Sequence, residues 1–212
     1  MNIYEKIEKY KIVPVVVLRD VQNAVNLAKA LIEGGLPVAE VTFRTEAAEE
    51  SIRKIIKAFP DMLVGAGTIT NTEQAKRALD AGAKFLVTPG FSRSVTEFAA
   101  EQGCPIFPGV CTPTELMMAL EHRLSVVKFF PAAQYGGLNT IKALSGPFPQ
   151  LRFMPTGGIN AGNIREYLES PKVIACGGSW MVKDSLIQEG RFDEIERLTK
   201  EAVALVNEEQ GR

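Results

Sequence analysis

The sequence predicts an α/β fold, a (β/α)8 TIM barrel in a single domain over residues 1–212 with a short N-terminal helix. Short apolar, β-branched segments alternate with amphipathic segments along the whole chain, as in a parallel sheet that is covered by helices on both faces. Eight such apolar segments are present, which is the number of strands that closes a barrel. The turn at residues 18–21 contains no glycine, which argues against an open dinucleotide-binding sheet.

The individual elements follow from hydrophobic periodicity and from turn residues. Ile3, Ile7 and Tyr10 stand at helical spacing and predict a leading helix over residues 2–10. Glycines end several of the later amphipathic segments, where they act as helix stops. The later predicted helices are residues 23–33, 72–80, 92–101, 114–122, 138–145, 161–168 and 192–207, with a helix-like segment at 180–183. The predicted strands are residues 12–18, 38–43, 63–67, 85–88, 106–109, 126–130, 152–156 and 173–176.

Composition and charge exclude several classes of function. A formal net charge of -1 leaves no basic surface for nucleic acid or anionic lipid. No apolar run is long enough to span a membrane, and the first residues lack a signal-peptide core. Three cysteines and a single histidine form neither a disulfide framework nor a zinc site, and Cys111 has no base beside it. We therefore expect a reduced, cytoplasmic protein with no bound metal and no cofactor.

One lysine stands inside a fully apolar strand. Lys128 is flanked by Val126, Val127, Phe129 and Phe130. Burial in such surroundings disfavours the charged ammonium and favours the neutral amine, which attacks carbonyl carbons to form Schiff bases. The alternative is a structural lysine whose stem packs against the apolar residues while its ammonium reaches solvent.

Polar side chains recur on one face of the second strand. Glu40, Thr42 and Arg44 alternate with Val41 and Phe43, so the three polar side chains point to the same side. Three polar groups inside a barrel are costly unless they serve a site. Two structural alternatives stay open at this point, an internal ion pair between Glu40 and Arg44 and an Arg44 that is exposed in the loop.

Further candidates stand where other strands end, because barrel active sites lie at the carboxyl ends of the strands. Gly65 and Gly67 leave space in the wall of the third strand, and Thr68 offers a hydroxyl at its rim unless it only precedes a turn. Pro89 follows the fourth strand and fixes the loop at the mouth. Arg19 follows the first strand, either as a phosphate ligand or as a solvated loop charge.

Two glycine pairs predict a phosphate site. Gly157 and Gly158 follow the seventh strand, Gly177 and Gly178 follow the eighth, and Ser179 comes next. We expect the backbone N–H groups of these glycines to lie at helix N-termini, where donors and helix dipole together bind phosphate. The loops after strands seven and eight are the favoured position for such a site in barrels.

Together these residues fit the retro-aldol cleavage of a phosphorylated 2-keto-3-deoxy sugar acid. Lys128 can form an imine with the ketone, and the protonated imine withdraws electrons so that a neighbouring C–C bond breaks. Arg44 and Thr68 match the carboxylate of a 2-keto acid. Glu40 can transfer protons through a water, both to the carbinolamine and from the substrate hydroxyl.

Six short motifs are spread over essentially the whole chain. They are E-V-T-F-R-T at 40–45, V-G-A-G-T at 64–68, V-K-F-F-P-A at 127–132, G-P-F-P at 146–149, P-T-G-G-I at 155–159 and G-G-S-W at 177–180. In this order they resemble the motifs of the 2-keto-3-deoxy-6-phosphogluconate (KDPG) aldolase family, which also covers 4-hydroxy-2-oxoglutarate (KHG) aldolase.

The resemblance implies a class I aldolase on a (β/α)8 barrel, usually a homotrimer, that releases pyruvate and glyceraldehyde 3-phosphate. By motif, Lys128 matches the family's Schiff-base lysine and Glu40 its general acid/base. Arg44 and Thr68 match the residues that bind the pyruvate carboxylate. The remaining matches are Pro89 and Phe130 in the pyruvate slot and Gly157, Gly158, Gly177, Gly178 and Ser179 in the phosphate loops.

Three other functions stay open. An aldolase specific for the galactonate epimer, or one acting mainly on KHG, would share the lysine chemistry and differ in the pocket for the aldehyde. A phosphosugar isomerase would use the same phosphate site but has no need of a buried lysine, so Lys128 counts against it. A barrel that only binds a sugar phosphate predicts that Lys128 is merely packed.

Overall fold

The computed structural model describes residues 1–207, which form an α/β structure. No helix in this part of the chain is long and apolar enough to cross a membrane. The strands are β1 (Ile12–Val16), β2 (Val38–Thr42), β3 (Leu63–Gly67), β4 (Leu86–Val87), β5 (Ile106–Phe107), β6 (Gly109–Val110), β7 (Val126–Phe129), β8 (Arg152–Pro155) and β9 (Cys176–Gly178). The helices are α1 (Ile3–Tyr10), α2 (Asn23–Glu33), α3 (Ala48–Ala58), α4 (Thr72–Asp80), α5 (Arg93–Glu101), α6 (Pro113–Glu121), α7 (Gly137–Ser145), α8 (Ile164–Leu168), α9 (Asp184–Gln188) and α10 (Phe192–Asn207).

The described strands pair in parallel in two sheets. The larger sheet has six strands in the order β5-β4-β3-β2-β1-β9 and curls into a half-barrel. The smaller sheet has the order β6-β7-β8. Its β8 end is tied to the β9 region by two single bridges, Phe153 with Val173 and Thr156 with Gly177. The first and last strands of the chain are neighbours, because Ile12 pairs with Cys176.

The predicted α/β class and its parallel strands are confirmed. Helices α2 and α4 have the predicted bounds, and the leading helix is present as α1. The closure of eight strands into one barrel stays a prediction at this point.

Helix α3 was not predicted from the sequence, and its boundary residues explain why. Its N-cap residue, Ala47, makes no side-chain hydrogen bond to the helix, and its C-cap residue is Phe59 rather than glycine. The two usual boundary signals are therefore absent, although the helix buries Ile52 and Ile55 as an amphipathic segment should.

Three predictions of local structure are wrong. The predicted fifth strand is divided into β5 and β6 at Pro108, which has no N–H to donate to a ladder. The last strand begins at Cys176, because Val173 forms only a single bridge. The segment 180–183 is a turn rather than a helix, and Lys183 has an extended backbone that precedes α9.

Large aromatic side chains fill the core behind the strands. Phe85 and Phe107 meet edge to face with their ring centres 5.7 Å apart, and Phe129 and Phe153 do so at 6.4 Å. All four are fully buried. Gly65 makes room for the first pair, because a Cβ at that position would lie 2.2 Å from the Phe85 ring. The first pair packs β3, β4 and β5 together, and the second packs β7 against β8.

Helix α1 is held to the sheet by an ion pair. Arg152 on β8 donates to both carboxylate oxygens of Glu8, at 2.9 Å and 2.5 Å. The hydrogen bond from Arg152 is the main reason why the pKa of Glu8 is lowered from its ordinary value. The pair thus joins the leading helix to a strand that is distant along the chain.

Replacing Glu8 by Gln should lower the free energy of unfolding by about 1 kcal/mol at neutral pH, a small effect because the pair is partly exposed. The folded-state pKa of Glu8 is lowered, so its stabilisation is present above the unfolded pKa and is lost as the pH falls through the folded pKa. Urea unfolding of wild type and Glu8→Gln should therefore differ at neutral pH and converge in acid. Glu33→Gln, which breaks an exposed 3.7 Å pair with Lys29, is the control and should change little. An equal loss at both pH values for Glu8→Gln would contradict this assignment.

Candidate functional site

A cavity of about 550 Å³ opens at the carboxyl ends of the strands. This volume suits a ligand of sugar-phosphate size. Its wall includes Val15 and Val17 from the region of β1, and it reaches Asp184 at the start of α9. Seven of the predicted site residues line it: Arg44, Phe130, Gly157, Gly158, Gly177, Gly178 and Ser179. We call it the inner cavity.

Lys128 on β7 and Glu40 on β2 meet inside the curled sheet. The Lys128 Nζ lies 3.5 Å from Glu40 Oε1, and the two residues are 4% and 0% exposed. The same Nζ lies 5.0 Å from the centre of the Phe130 ring, which lines the inner cavity. The ammonium therefore does not reach bulk solvent, and the alternative of a lysine that extends to the surface is wrong.

The Glu40 carboxylate is buried without a hydrogen bond. Neither of its oxygens has a hydrogen-bond partner within the described chain. A buried polar group left in this state is costly, and a bound molecule or water can satisfy it. Gly67 provides the space for this carboxylate, because a Cβ there would lie 2.0 Å from Glu40 Oε1.

Arg44 and Thr68 lie together at the mouth. The Arg44 Nε donates to Thr68 Oγ1 at 3.1 Å, so the alternative of a Glu40–Arg44 ion pair is not formed in the part of the chain that the structure describes. Arg44 is exposed and lines the inner cavity. Thr68 has φ 56, a left-handed conformation that is strained for a β-branched residue and costs about 1–3 kcal/mol. This conformation occurs at the end of β3, where the Thr68 hydroxyl meets Arg44.

Pro89 follows β4 and does not line the inner cavity. Its carbonyl oxygen packs against Gly109, where a Cβ would lie 2.3 Å from it. Gly109 in turn pairs with Lys128 in the β6–β7 register. Pro89 is thus placed beside the strand pair that carries the lysine.

The glycine pairs leave bare backbone in the wall of the inner cavity. Gly157 and Gly158 both have positive φ, 99 and 78, which other residues rarely adopt. Gly177 and Gly178 are the last residues of β9. A Cβ at Gly177 would lie 2.3 Å from the Thr156 hydroxyl, so only glycine fits there without a shift.

The predicted placement of these glycines in the first turns of helices is wrong. Helices α8 and α9 begin at Ile164 and Asp184, several residues beyond the glycine pairs. Asn163 Nδ2 donates to the Gly158 carbonyl at 2.9 Å, which closes a loop between the first pair and α8. The glycines present peptide groups to the cavity without a helix dipole directly behind them.

Thr156 belongs to the site although no sequence motif singled it out by itself. It is 6% exposed, it lines the inner cavity, and its hydroxyl has no hydrogen-bond partner among the described residues. Such a hydroxyl can donate to a ligand and accept from it. Its place at the site follows from strand register, because Met154 pairs with Lys128 and Thr156 stands two residues further on the same face of the strand.

Cys104 and Cys111 are poor candidates for a nucleophile. Burial raises the pKa of Cys104 to about 11, and burial together with the neighbouring Glu115 raises the pKa of Cys111. Thiols with raised pKa values are poor nucleophiles. No group of three or more His, Cys, Asp and Glu residues in the described chain is arranged to hold a metal ion. The reactive groups at this site are an amine, a carboxylate, a guanidinium and hydroxyls.

Gly67→Ala should slow turnover of a 2-keto-3-deoxy sugar acid by about a hundredfold, because its Cβ displaces the Glu40 carboxylate from beside Lys128. The displaced group is the end of a flexible side chain, so we expect the fold to persist. Gly146→Ala is the control, since a Cβ there meets its nearest atom at an ordinary 3.5 Å. Steady-state rates and thermal unfolding of both variants test this, and a wild-type rate for Gly67→Ala would contradict it.

Comparison with known proteins identifies relatives along nearly the full chain. A family model described as "Aldolase: KDPG and KHG aldolase" matches residues 3–198. The 2-dehydro-3-deoxy-phosphogluconate aldolase of Haemophilus influenzae is 47% identical over 205 residues, which are 97% of this chain and 97% of that protein. The KHG/KDPG aldolase of Escherichia coli K12 is 44% identical over 192 residues, 91% of this chain and 90% of that protein.

Solved structures give the same result. A KDPG aldolase from Legionella pneumophila, with pyruvate captured at low pH as a covalent carbinolamine intermediate, superposes with a TM-score of 0.90 at 40% identity, over 93% of this chain and 96% of that one. The Zymomonas mobilis aldolase with 3-phosphoglycerate gives 0.88 at 38% identity, over 96% of each chain. Fold, sequence and the apolar strand around Lys128 thus agree, and the chain belongs to the family of KDPG and KHG aldolases.

Proposed function

We propose that this chain, an aldolase of the KDPG and KHG family, cleaves 2-dehydro-3-deoxy-6-phosphogluconate to pyruvate and glyceraldehyde 3-phosphate through an imine on Lys128. The observation that carries the proposal is the buried Lys128 Nζ at 3.5 Å from the Glu40 carboxylate, beside Phe130 in the wall of a cavity of sugar-phosphate size. A buried amine beside a proton acceptor is what Schiff-base chemistry requires.

The first step joins the lysine to the substrate. Glu40 accepts a proton from the ammonium, and the neutral Lys128 amine attacks the C2 ketone carbon to form a carbinolamine. Loss of water then gives the protonated imine, with Glu40 supplying the proton that the leaving hydroxyl needs. The carbinolamine captured with pyruvate in the Legionella relative supports this order of events.

The second step breaks the C3–C4 bond. Its electron pair moves into the protonated imine to give an enamine, and Glu40 takes the proton of the C4 hydroxyl as glyceraldehyde 3-phosphate leaves. The enamine then takes a proton at C3, and hydrolysis releases pyruvate and regenerates the Lys128 amine. Glu40 has no competing hydrogen bond from the described protein, which leaves its oxygens available for both transfers.

The two ends of the substrate find different partners. We assign the keto-acid carboxylate to Arg44 and Thr68, which are hydrogen-bonded to each other at the mouth, with Phe130 and Pro89 beside the pyruvate methyl carbon. The phosphate belongs at the bare backbone of the glycine pairs with Ser179, which line the same cavity. The 3-phosphoglycerate in the Zymomonas relative is a molecule of this class.

A second substrate has specific support. The Escherichia coli relative is a KHG/KDPG aldolase, so we propose that 4-hydroxy-2-oxoglutarate is also cleaved, to pyruvate and glyoxylate. The reaction at Lys128 is the same for both acids, and only the group that occupies the glycine end of the cavity differs. Relative turnover of KDPG, its galactonate epimer and KHG ranks the three.

The complete architecture is also part of the proposal. The smaller sheet follows the larger one directly at Pro108 and returns to it through the Thr156–Gly177 bridge, which supports closure of the strands into a single (β/α)8 domain. Among the described residues Cys104, Cys111 and Cys176 form no disulfide, which is consistent with a reducing, cytoplasmic setting.

Borohydride reduction in the presence of pyruvate should attach a reduced three-carbon adduct to Lys128, and peptide mass mapping locates it. Lys128→Met should abolish the adduct and the turnover of KDPG. Lys142→Met is the matched control, because this lysine is exposed on α7 and away from the cavity. An adduct on another lysine, or none on wild type, would disprove the mechanism.

In Glu40→Gln, turnover should fall by about a hundredfold or more while the pyruvate concentration for half-maximal trapping changes far less.

The homotrimer that the family resemblance implies is the last part of the proposal. Met117 and Met118 on α6 are exposed large apolar side chains, and Tyr135 is a third that contacts Cys111 just before this helix. Such groups are typical of a contact surface. Light scattering should give a mass three times that of a single chain. The double variant Met117→Glu, Met118→Glu should give the mass of one chain. A monomeric wild type would exclude this assembly.

A further inference from the structure

A second cavity, of about 430 Å³, lies across Arg44 from the inner one. Arg44 is the residue that lines both. We call it the outer cavity. Its other ionisable and amide side chains are Arg19 after β1, Glu46 after β2, and Gln74 and Arg77 on α4. Three guanidinium groups therefore face one space together with a single carboxylate.

The three arginines are held in the same manner, each through its Nε atom. The acceptors are Asp184 Oδ2 for Arg19 at 3.0 Å, Thr68 Oγ1 for Arg44 at 3.1 Å and Glu49 Oε2 for Arg77 at 2.7 Å. The Arg77 guanidinium also stacks over the Phe43 ring at 5.9 Å. Contacts of this kind restrict the side chains before any ligand arrives.

The terminal nitrogens of these three arginines make no hydrogen bond to the described residues. A guanidinium anchored at Nε still offers its outer N–H groups, which match phosphate and carboxylate oxygens in pairs. The Gln74 side-chain oxygen accepts from Thr70, so its amide N–H groups add further donors. Glu46 is the opposing charge in the lining, and its field acts on Arg77.

We propose that the outer cavity binds a small polyanion carrying phosphate or several carboxylate groups, and that this binding weakens the hold of Arg44 on the keto acid in the inner cavity. The volume admits a molecule the size of a sugar phosphate. The first half of the proposal rests on the outer cavity alone. The second half rests on the proposed function, because it uses the role of Arg44 as a carboxylate ligand.

Thermodynamic linkage allows the coupling between the two cavities to be measured through either ligand. If an anion in the outer cavity competes for the Arg44 guanidinium, it must lower the affinity of the inner cavity for a keto acid. The keto acid must then lower the affinity of the outer cavity for the anion by the same factor. Arg19, whose position after β1 did not reveal a function by itself, then acts as a ligand of the outer cavity that Asp184 holds in place.

Inorganic pyrophosphate is the probe, with binding followed by titration calorimetry. Arg19→Gln and Arg77→Gln should each weaken its Kd by about fivefold, as expected for exposed charge pairs. Glu46→Gln should tighten the Kd by a similar factor, and a gain of affinity cannot arise from misfolding. Lys76→Gln is the matched control, since Lys76 is the neighbour of Arg77 on α4, pairs with Asp80 and does not line the cavity.

The inner cavity can take the same anion, so a separate variant distinguishes the two. Lys183→Gln removes a cation that lines the inner cavity only. Pyrophosphate binding that responds to Lys183→Gln and not to Arg77→Gln or Glu46→Gln would overturn the proposal. Equal Kd values for Arg77→Gln and Lys76→Gln would do the same.

The effect on the keto acid is measured by borohydride trapping of pyruvate with and without pyrophosphate. Pyrophosphate should raise the pyruvate concentration for half-maximal trapping in wild type and should do so less in Arg77→Gln. Without pyrophosphate, Arg77→Gln and Lys76→Gln should trap pyruvate as wild type does. Calorimetric binding that leaves trapping unchanged would overturn the coupling alone, whereas loss of the Lys128 adduct in untreated wild type would instead disprove the proposed function.

Discussion

The contact between Lys128 and Glu40 inside the curled sheet is the constraint on which the surrounding structure depends. Two ionisable groups at 4% and 0% exposure are expensive to bury, and the fold must hold them at 3.5 Å while leaving room for a reactant. Two glycines make this arrangement possible. Gly67 leaves space for the Glu40 carboxylate, and Gly109, which pairs with Lys128, leaves space for the Pro89 carbonyl.

The energetic cost of the site is concentrated in a few residues. The Glu40 oxygens and the Thr156 hydroxyl are buried without hydrogen bonds from the described protein, and Thr68 holds a left-handed backbone. Each of these features lowers stability. Thr156 lines the inner cavity, Thr68 accepts a hydrogen bond from Arg44 in its wall, and Glu40 contacts Lys128. The well-packed aromatic pairs, Phe85 with Phe107 and Phe129 with Phe153, lie elsewhere and offset the cost.

The sequence predicts the repeating strands and helices well because their signals are local. A lysine among valines and phenylalanines makes Lys128 a candidate site residue, and three polar residues alternating along β2 do the same for Glu40 and Arg44. Helix α3 escapes prediction because it has no capping side chain and no glycine stop. The glycine pairs are found, yet their backbone geometry is not, because positive φ at Gly157 and Gly158 inserts a loop before α8.

Contacts between segments that are distant along the chain could not be predicted from the sequence. Arg19, Arg44 and Arg77 come from two loops and a helix, and only the curl of the sheet brings them to one cavity. The same holds for Thr156, whose importance depends on its register with β7 rather than on its own neighbours. Patterns along one element can thus nominate a catalytic residue, whereas the side chains that surround a ligand are a property of the assembled sheet.

The pairing of β1 with β9 has a consequence for the order in which the site is completed during synthesis of the chain. The inner cavity needs Val15 from the beginning of the chain and Gly177, Gly178 and Ser179 from near its end. A chain that is still being synthesised holds the lysine and the carboxylate long before it holds the glycine end of the cavity. Under the proposed function, the phosphate end of the cavity is therefore complete only after β9 has been synthesised and has paired with β1.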